Sequence, residues 1–523
     1  MLVEMFDAEA IVVGGGHNGL ICAAYLARSG IKTILLEARE TVGGCASTVS
    51  DLGAKFNICA CDHSLIRAMP LLEELDLFEN GLDYLEPEAT YVNSFHDGQH
   101  PWVSFHSTAR TLEGLAKTHP DQVENYKNYL KDALPVAELA IEIAKSGASP
   151  RQFLSKALDA NISVARRLLS WSRASALDIL ENYFTDWRLV MPAISTGPTV
   201  WGAPPEAPGT GLGAVVYATR HLIASGRPRG GSGSLPNSVL RSFEASNGDV
   251  RTNAAVNGLL VEKGRIVGVR MVNGGTLTAP IVVAACDPHR VFVEWLDDVP
   301  KSANRLVRNW KKLPVPEGYE SKLDGVIREK PEYQFMSSLQ NIFRDVELEE
   351  ATTIISPTLE ELGQAHEMRR RGEVAEKPTM LASIPSLLDP NMKADNGFHT
   401  FSLEVLFTPY SLNEGWSHSG EPERWLSVWG QLMTGNFLET VTEWRAMTPD
   451  VYERDFHMHK GHSPAYASSP LATLIGRQRE LSRYKTPVSG LFVTGAATFP
   501  GAGIFGAPGR NTATTVLDFV EGR

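Results

Sequence analysis

Only five cysteines (Cys22, Cys45, Cys59, Cys61 and Cys286) occur among 523 residues, too few and odd in number for a disulfide-stapled secreted scaffold. Reduced thiols are expected. Long apolar runs are also missing: the longest clean one, Ile281 to Cys286, has the length of a strand, far short of the roughly 18 apolar residues of a membrane-spanning helix. No bilayer crossing is expected. Positive charge is in deficit, with 49 Lys+Arg against 61 Asp+Glu and a net charge of −12, so no global field draws phosphate backbones. Nucleic acid is excluded as the default partner. The opening residues MLVEMFDAEA carry two Glu and one Asp where a signal peptide would be cationic, and a cytoplasmic location is the expectation. Internal repeats and long low-complexity segments are lacking as well.

What is present is a core-forming chain: 43% hydrophobic, 21% charged and 8% aromatic, an ordinary soluble composition. Its length exceeds what one hydrophobic core usually holds, so two or more folding units are expected. An apolar run, Ala10 to Val13, precedes glycines and then a helical pattern with Leu20, Ala23, Ala24 and Ala27 on one face. A second apolar strand, Thr33 to Leu36, ends in Glu37 and completes a β-α-β unit. Leu112 to Phe184 reads as a helical block broken by the loop Ser146 to Pro150, and the Pro/Gly-rich passage Gly197 to Gly213 marks a domain crossing. Short strands follow at Leu259–Glu262, Ile266–Met271, Leu277–Thr278 and Ile281–Ala285, read as a resumption of the nucleotide sheet. Between Pro300 and Glu480 come a strand (Phe398–Phe407), a charged helix (Leu359–Val374) and a segment with Trp416, Trp425 and Trp429. A strand at Leu491–Thr494, a Pro/Gly-dense loop and a helix from about Asn511 close the chain.

The run IVVGGGHNGL places Gly14-x-Gly16-x-x-Gly19 directly after a buried strand and directly before a helix. Glycine there permits the tight turn, a close backbone approach to a pyrophosphate, and close strand–helix packing, while the helix N-terminus favours the anion. Glu37 lies 37 − 16 = 21 residues past the middle glycine, where a carboxylate can accept hydrogen bonds from ribose hydroxyls. Strand, helix, second strand and terminal acid together predict dinucleotide binding. Two other matches fail this context: Gly501-x-Gly503-x-x-Gly506 has no second strand and acid before Arg523, and Gly209-x-Gly211-x-Gly213 follows no strand. No second nucleotide site is expected, which favours oxygen, a quinone or another diffusible electron acceptor.

After Glu37 the chain runs Ala38-Arg39-Glu40-Thr41-Val42-Gly43-Gly44, which resembles the E-x-R-x-x-x-G-G extension of FAD-binding Rossmann proteins. That resemblance implies FAD rather than NAD, with Gly43 and Gly44 close to the phosphates and ribityl chain. Cys45 stands where a disulfide reductase has a redox cysteine, but position 50 is Ser50 and no partner lies at that spacing. A dithiol mechanism is excluded on this reading, and Cys45 becomes a small residue beside the flavin.

The stretch LFVTGAATFPGAGIFGAPGRNTA resembles the flavin-closing motif of bacterial phytoene desaturases and retinol saturases. With the N-terminal fingerprint and the two-glycine extension, the chain is similar to the carotenoid-desaturase-like branch of the glutathione-reductase-type flavoproteins. The resemblance extends through GGSGSLPNSVLRSFEASNGDVRTNAAV and GRIVGVRMVNGGTLTAPIVVAACDP. It implies a backbone contact of Val256 with the adenine, cofactor binding by Gly495, and a position near the isoalloxazine for Phe499, Gly501, Gly503 and Ile504. The following helix would then point at the flavin edge where charge gathers on reduction. Phe499 departs from the family's usual His in T-H-P, so no catalytic step assigned to that histidine carries over.

No catalytic residue is assigned. Asp62, His63 and Arg67 follow the flavin glycines closely, and His457, His459 and His462 have metal-like spacing without a Cys or a second acid, so no metal is expected. Arg166 and Arg167 with Leu168, Leu169 and Trp171 form a basic amphipathic face that would suit peripheral membrane contact, against an ordinary surface helix as the alternative.

The expected fold is α/β, a discontinuous Rossmann-like FAD-binding domain (1–85, 213–300 and 481–523) with a mixed α+β substrate domain, a helical cap plus mixed sheet, from 86–212 and 301–480. The expected activity is hydride abstraction from an apolar, isoprenoid-type substrate carbon onto FAD, with reoxidation by oxygen or quinone; a saturase would run it in reverse. Oxidation of an alcohol or amine is the alternative, since site residues and not fold decide chemistry. A reading of another class, a prenyl-binding protein similar to Rab GDP-dissociation inhibitors, is opposed by the complete glycine fingerprint and Glu37.

Overall fold

The computed structural model describes residues 6–59, 61–146, 156, 161–462 and 476–522. The strands Ala10–Val13, Thr33–Leu36 and Ile281–Ala284 are buried at every position, the pattern of a parallel sheet covered on both faces. With Asp249–Arg251 and Leu491–Val493 they form a five-stranded, all-parallel sheet. Its order is Leu491–Val493, Ile281–Ala284, Ala10–Val13, Thr33–Leu36, Asp249–Arg251.

Alternation along these strands splits the core in two. Ala10, Val12 and Leu35 pack with the first helix (His17–Arg28), with Leu235, Val239 and Phe243 of the helix Ser234–Ala245, and with Ala513 and Val516 of the C-terminal helix (Ala507–Val520). Ile11, Val13, Ile34 and Leu36 pack on the opposite face, against Leu259, Ile266 and Val269. Those three belong to Val256–Glu262 and Arg265–Met271, which with Thr276–Thr278 make a separate antiparallel sheet. Only Ile281–Ala284 rejoins the parallel sheet, so the expected resumption is limited to one strand. Lys263 and Gly264, both at positive φ, turn the chain back on itself and fix local antiparallel pairing.

A seven-stranded sheet runs in the order Val441–Met447, Glu320–Ile327, His399–Leu406, Met380–Ser383, Thr352–Ser356, Ala89–Phe95, Trp102–Phe105. Its pairings are antiparallel except Thr352–Ser356 with Ala89–Phe95. One face buries Phe401, Leu403 and Val405 under Trp425 and Trp429, so those two tryptophans are core. The other face meets helices between residues 108 and 222, where Phe95, Trp102 and Leu406 share a core with Tyr129, Leu189 and Tyr217.

The strand expected at Phe398–Phe407 forms at His399–Leu406, and the charged helix forms at Leu359–Arg370, opened by a Thr358/Glu361 capping box. The closing helix begins at Ala507, ahead of Asn511, because Pro508 is acceptable in a first helical turn. Part of the expected helix-breaking loop, 147–150, lies outside the described residues. Among the described residues no helix is long and apolar enough to cross a membrane.

Candidate functional site

The carboxyl ends of three adjacent parallel strands converge on the glycines. Gly14 has φ +103° and a Cβ there would lie 2.9 Å from the Ala285 carbonyl; a Cβ on Gly19 would lie 2.0 Å from the Gly14 carbonyl. Neither position tolerates a side chain. Gly16, in contrast, faces open space, with nothing within 4 Å of a Cβ. It precedes the helix His17–Arg28, whose first turn has no side-chain cap, leaving its N–H groups directed outward.

The two glycine motifs are joined through the backbone. Gly43 N donates to Gly15 O at 2.8 Å, and a Cβ on Gly44 would stand 3.1 Å from Gly16 Cα. Glu37, 7% exposed, accepts from Gly15 N (2.7 Å) on one oxygen and from Arg39 N (2.9 Å) on the other. These bonds orient the carboxylate and leave each oxygen a lone pair for a ribose hydroxyl. Arg39 reaches Ser47 Oγ at 3.2 Å and stacks 4.2 Å over the Phe456 ring. Ala254 N donates to Glu37 O at 2.8 Å, which brings the strand start Val256 beside the same acid.

The C-terminal loop closes the other side. Gly495, φ +109°, follows the strand Leu491–Val493, and a Cβ there would lie 3.8 Å from the Ala285 carbonyl, while Gly501 and Gly503 (φ +125° and +101°) face open space. Gly509 of the C-terminal helix would place a Cβ 2.2 Å from Asn18 O, so two helix N-termini meet at one point. Ile504 packs on the core beneath that crossing. His17, which sequence reasoning missed because it occupies a variable motif position, hydrogen-bonds the Gly503 backbone, and burial pushes its pKa down to about 4. A glycine-lined opening, an oriented ribose-type carboxylate and two converging helix N-termini fit an FAD with its anionic pyrophosphate.

Beyond Gly44 the wall is sulfur and carboxyl. Cys45 donates to Met458 Sδ at 3.3 Å and lies within hydrogen-bonding reach of Cys59. The Cys59 thiol holds the Cys45 pKa below its ordinary value, helped by Arg39 and opposed by burial. The same contact, with burial, drives Cys59 upward. No cysteine stands at the disulfide-reductase spacing, where Ser50 lies; the neighbouring thiol comes from farther along the chain. The hairpin Thr48–Asp51/Ala54–Asn57 folds the chain back, and Ile58 N bonds Ser47 O at 3.0 Å, so a cysteine fourteen positions on arrives where residue 50 cannot. Glu320 and Glu404, on neighbouring strands of the seven-stranded sheet, stand close by. Burial, then Cys45, raises Glu320 to about 7; burial, then Glu320, raises Glu404 well above the carboxylate range. Lys322, directly opposite Glu404, is paired at 2.7 Å with Asp324.

The other candidates are dispersed. His63 is fully buried with both ring nitrogens at 3.1 Å, one to Tyr84 OH and one to Ser232 Oγ, and burial lowers it to about 3. It is a neutral ring held in place. Arg67 donates to Ala224 O at 2.8 Å and pairs with Glu86. Asp62 binds Arg227 Nε and Thr352 Oγ1, both at 2.7 Å, linking this segment to the seven-stranded sheet. His462 is buried against Tyr319, with rings 5.4 Å apart, and lowered to about 4 by burial. His457, His459 and His462 do not converge. His459 instead gathers with His289 and Glu294, their ligand atoms within 4.8 Å, where the Arg290 guanidinium already lies 3.3 Å from His459.

The chain matches the family described as flavin containing amine oxidoreductase over residues 19–316. It is 26% identical to rat pyridine nucleotide-disulfide oxidoreductase domain-containing protein 2, over 98% of this chain and 93% of the relative. It is 24% identical to a limonene dehydrogenase polypeptide of Castellaniella defragrans, over 98% and 95%. With the neurosporene-forming phytoene desaturase of Rhodobacter capsulatus the identity is 23%, over 95% and 91%. Among solved structures, a putrescine oxidase with bound putrescine shares the fold at TM-score 0.61, with 17% identity over 98% of this chain and 99% of that one. The family match covers more than half of the 523 residues, and the chain belongs to the flavin-containing amine oxidoreductases, as an FAD-dependent oxidoreductase related to the desaturases.

Proposed function

We propose that this flavoprotein abstracts hydride from an uncharged, apolar substrate carbon of isoprenoid type, as a desaturase or dehydrogenase, with oxygen or a quinone as electron acceptor. One observation carries the reading. Phe499, in the flavin-closing loop, packs into the same apolar cluster as Leu406 of the seven-stranded sheet, Phe407 just after it, and Tyr129 and Ile194 of the helical layer. That end of the loop borders hydrocarbon. The likeness to the limonene dehydrogenase polypeptide and to the phytoene desaturase spans nearly the whole chain.

Bound FAD supplies the two-electron acceptor. The chain's own part is binding and proton handling. The first-turn N–H groups of the helices starting at His17 and Ala507 favour negative charge in the opening, and the lowered pKa of His17 keeps its ring neutral there. Glu320, raised to about 7, suits acceptance of the proton that a carbon skeleton loses after hydride removal.

Oxidation of an amine is the second reading, favoured by Glu320 and Glu404, whose carboxyl oxygens would accept hydrogen bonds from an amine N–H. Anaerobic mixing of the yellow holoprotein with limonene, phytoene and an aliphatic amine separates the two. Bleaching by the hydrocarbons alone is expected, and bleaching by the amine alone would overturn the first reading. Oxygen against quinone follows from the reoxidation rate of the bleached protein. For peripheral membrane contact, proposed for the helix Ile162–Trp171, Ile162 and Leu169 are exposed while Arg167 is held by Asp132 at 2.7 Å. Flotation with anionic vesicles tests it.

A further inference from the structure

The cavity wall holds a pair of thiols that hydride transfer does not use. Cys45 follows Gly44, which packs on Gly16 of the nucleotide cradle, and Cys59 ends the hairpin that returns to it. Both retain partial exposure, Cys45 touches Met458 Sδ at 3.3 Å, and the bond from Ile58 N to Ser47 O at 3.0 Å brings Cys59 back alongside the Cys45 segment. Arg39 adds positive charge beside Cys45, while Cys59 has both Glu320 and Lys322 as charged neighbours. The guanidinium beside Cys45 favours ionisation of that sulfur over Cys59. Cys22 is buried at 0% exposure in the helix core, and Cys61 has Ser383 Oγ as its neighbour at 3.9 Å.

We propose that Cys45 and Cys59 form a peroxide-responsive redox pair in the wall of the flavin cavity, with Cys45 as the attacking and Cys59 as the resolving thiol. The Cys45 thiolate attacks one oxygen of hydrogen peroxide; the O–O bond breaks, Cys45 becomes a sulfenic acid, and hydroxide leaves to take up a proton as water. The Cys59 sulfur then attacks the Cys45 sulfur. The S–O bond breaks, the S–S bond forms, and the Cys59 proton leaves with the hydroxide as a second water. Two thiols are oxidised by two electrons and one peroxide is reduced to two waters. The inference does not depend on which substrate the flavin oxidises.

The test uses FAD-loaded protein given a small molar excess of hydrogen peroxide, alkylated, digested without reductant and weighed by mass spectrometry. Expected is a cross-linked species lacking two hydrogens that joins the peptide of Cys45 to that of Cys59, unchanged in Cys61→Ser. In Cys59→Ser, Cys45 should instead accumulate as a sulfenic acid captured by dimedone, severalfold above the wild-type level. Cys45 that stays a free thiol, a link to Cys61, or equal dimedone capture with and without Cys59 would each overturn the proposal. Because the readout is mass, a failure of the hydride-transfer reading leaves this result interpretable.

Discussion

At the scale of single residues, Glu37 is held by two backbone N–H groups before any ligand arrives. Glu37→Ala removes the carboxylate and strands both donors, at a cost of about 1–3 kcal/mol for each buried group left unpaired. FAD affinity should fall at least about tenfold by fluorescence titration, because the ribose loses hydrogen bonds to a charged acceptor worth about 1.5–3 kcal/mol each and about 1.4 kcal/mol is a factor of ten; an unchanged dissociation constant would contradict the assigned role. Glu320 has a folded pKa of about 7 against an ordinary 4.5. The sign follows from where the proton sits. The folded state binds it more tightly than the unfolded chain, so this group's stabilising share is complete below about 4.5 and is lost as pH rises to about 7. Glu320→Gln cannot ionise. Its melting temperature relative to wild type should climb between pH 4.5 and pH 7 and then level off, as read by calorimetry across that interval.

At the scale of elements, the crossing of the helices His17–Arg28 and Ala507–Val520 is set by one missing side chain. A Cβ at Gly509 would fall 2.2 Å from Asn18 O, a distance that backbone cannot relieve without moving a helix. Gly509→Val should therefore part the two N-termini that meet at the opening. The purified variant is expected to keep its far-ultraviolet circular dichroism but lose flavin on dialysis, seen as a fall in the ratio of flavin to protein absorbance. The capping box gives a gentler case. Thr358→Ala deletes the hydroxyl that accepts from Glu361 N at the start of Leu359–Arg370 and should cost about 1 kcal/mol by denaturant titration, with flavin content unaffected.

At the scale of the whole molecule, the loop carrying Asp62 and the short strand Arg227–Pro228 are tied to the seven-stranded sheet through Thr352. Arg227 is 5% exposed and binds Asp62 at 2.7 Å, Thr352 at 3.0 Å and the Glu350 carbonyl at 2.7 Å. Arg227→Met strands a carboxylate of which little is accessible, and removing one partner of a buried pair typically costs about 3–5 kcal/mol. Thermal unfolding of the variant should begin markedly lower than in wild type. The double variant Arg227→Met with Asp62→Leu should recover part of the loss, because no lone charge then remains.

The nucleotide cradle was legible because its constraints are local. A tight turn, a close strand–helix approach and an acid ending the second strand must be written within one β-α-β unit, and Gly14, Gly16, Gly19 and Glu37 are so written. The GG extension was legible for the same reason. The partner of Cys45 was not: spacing alone pointed to residue 50, whereas a hairpin brought Cys59 instead. His457, His459 and His462 show the converse, neighbours in sequence that a left-handed residue at His457 and separate packing send apart. Glu320 and Glu404 carry no motif at all. They meet because strands some eighty positions apart pair in register, and their raised pKa values come from burial that only the assembled sheet provides. The sequence by itself thus determined the cofactor, since phosphate and ribose recognition rests on contiguous backbone geometry; only the tertiary structure decided what lines the cavity, because side chains from distant strands acquire their chemistry from one another.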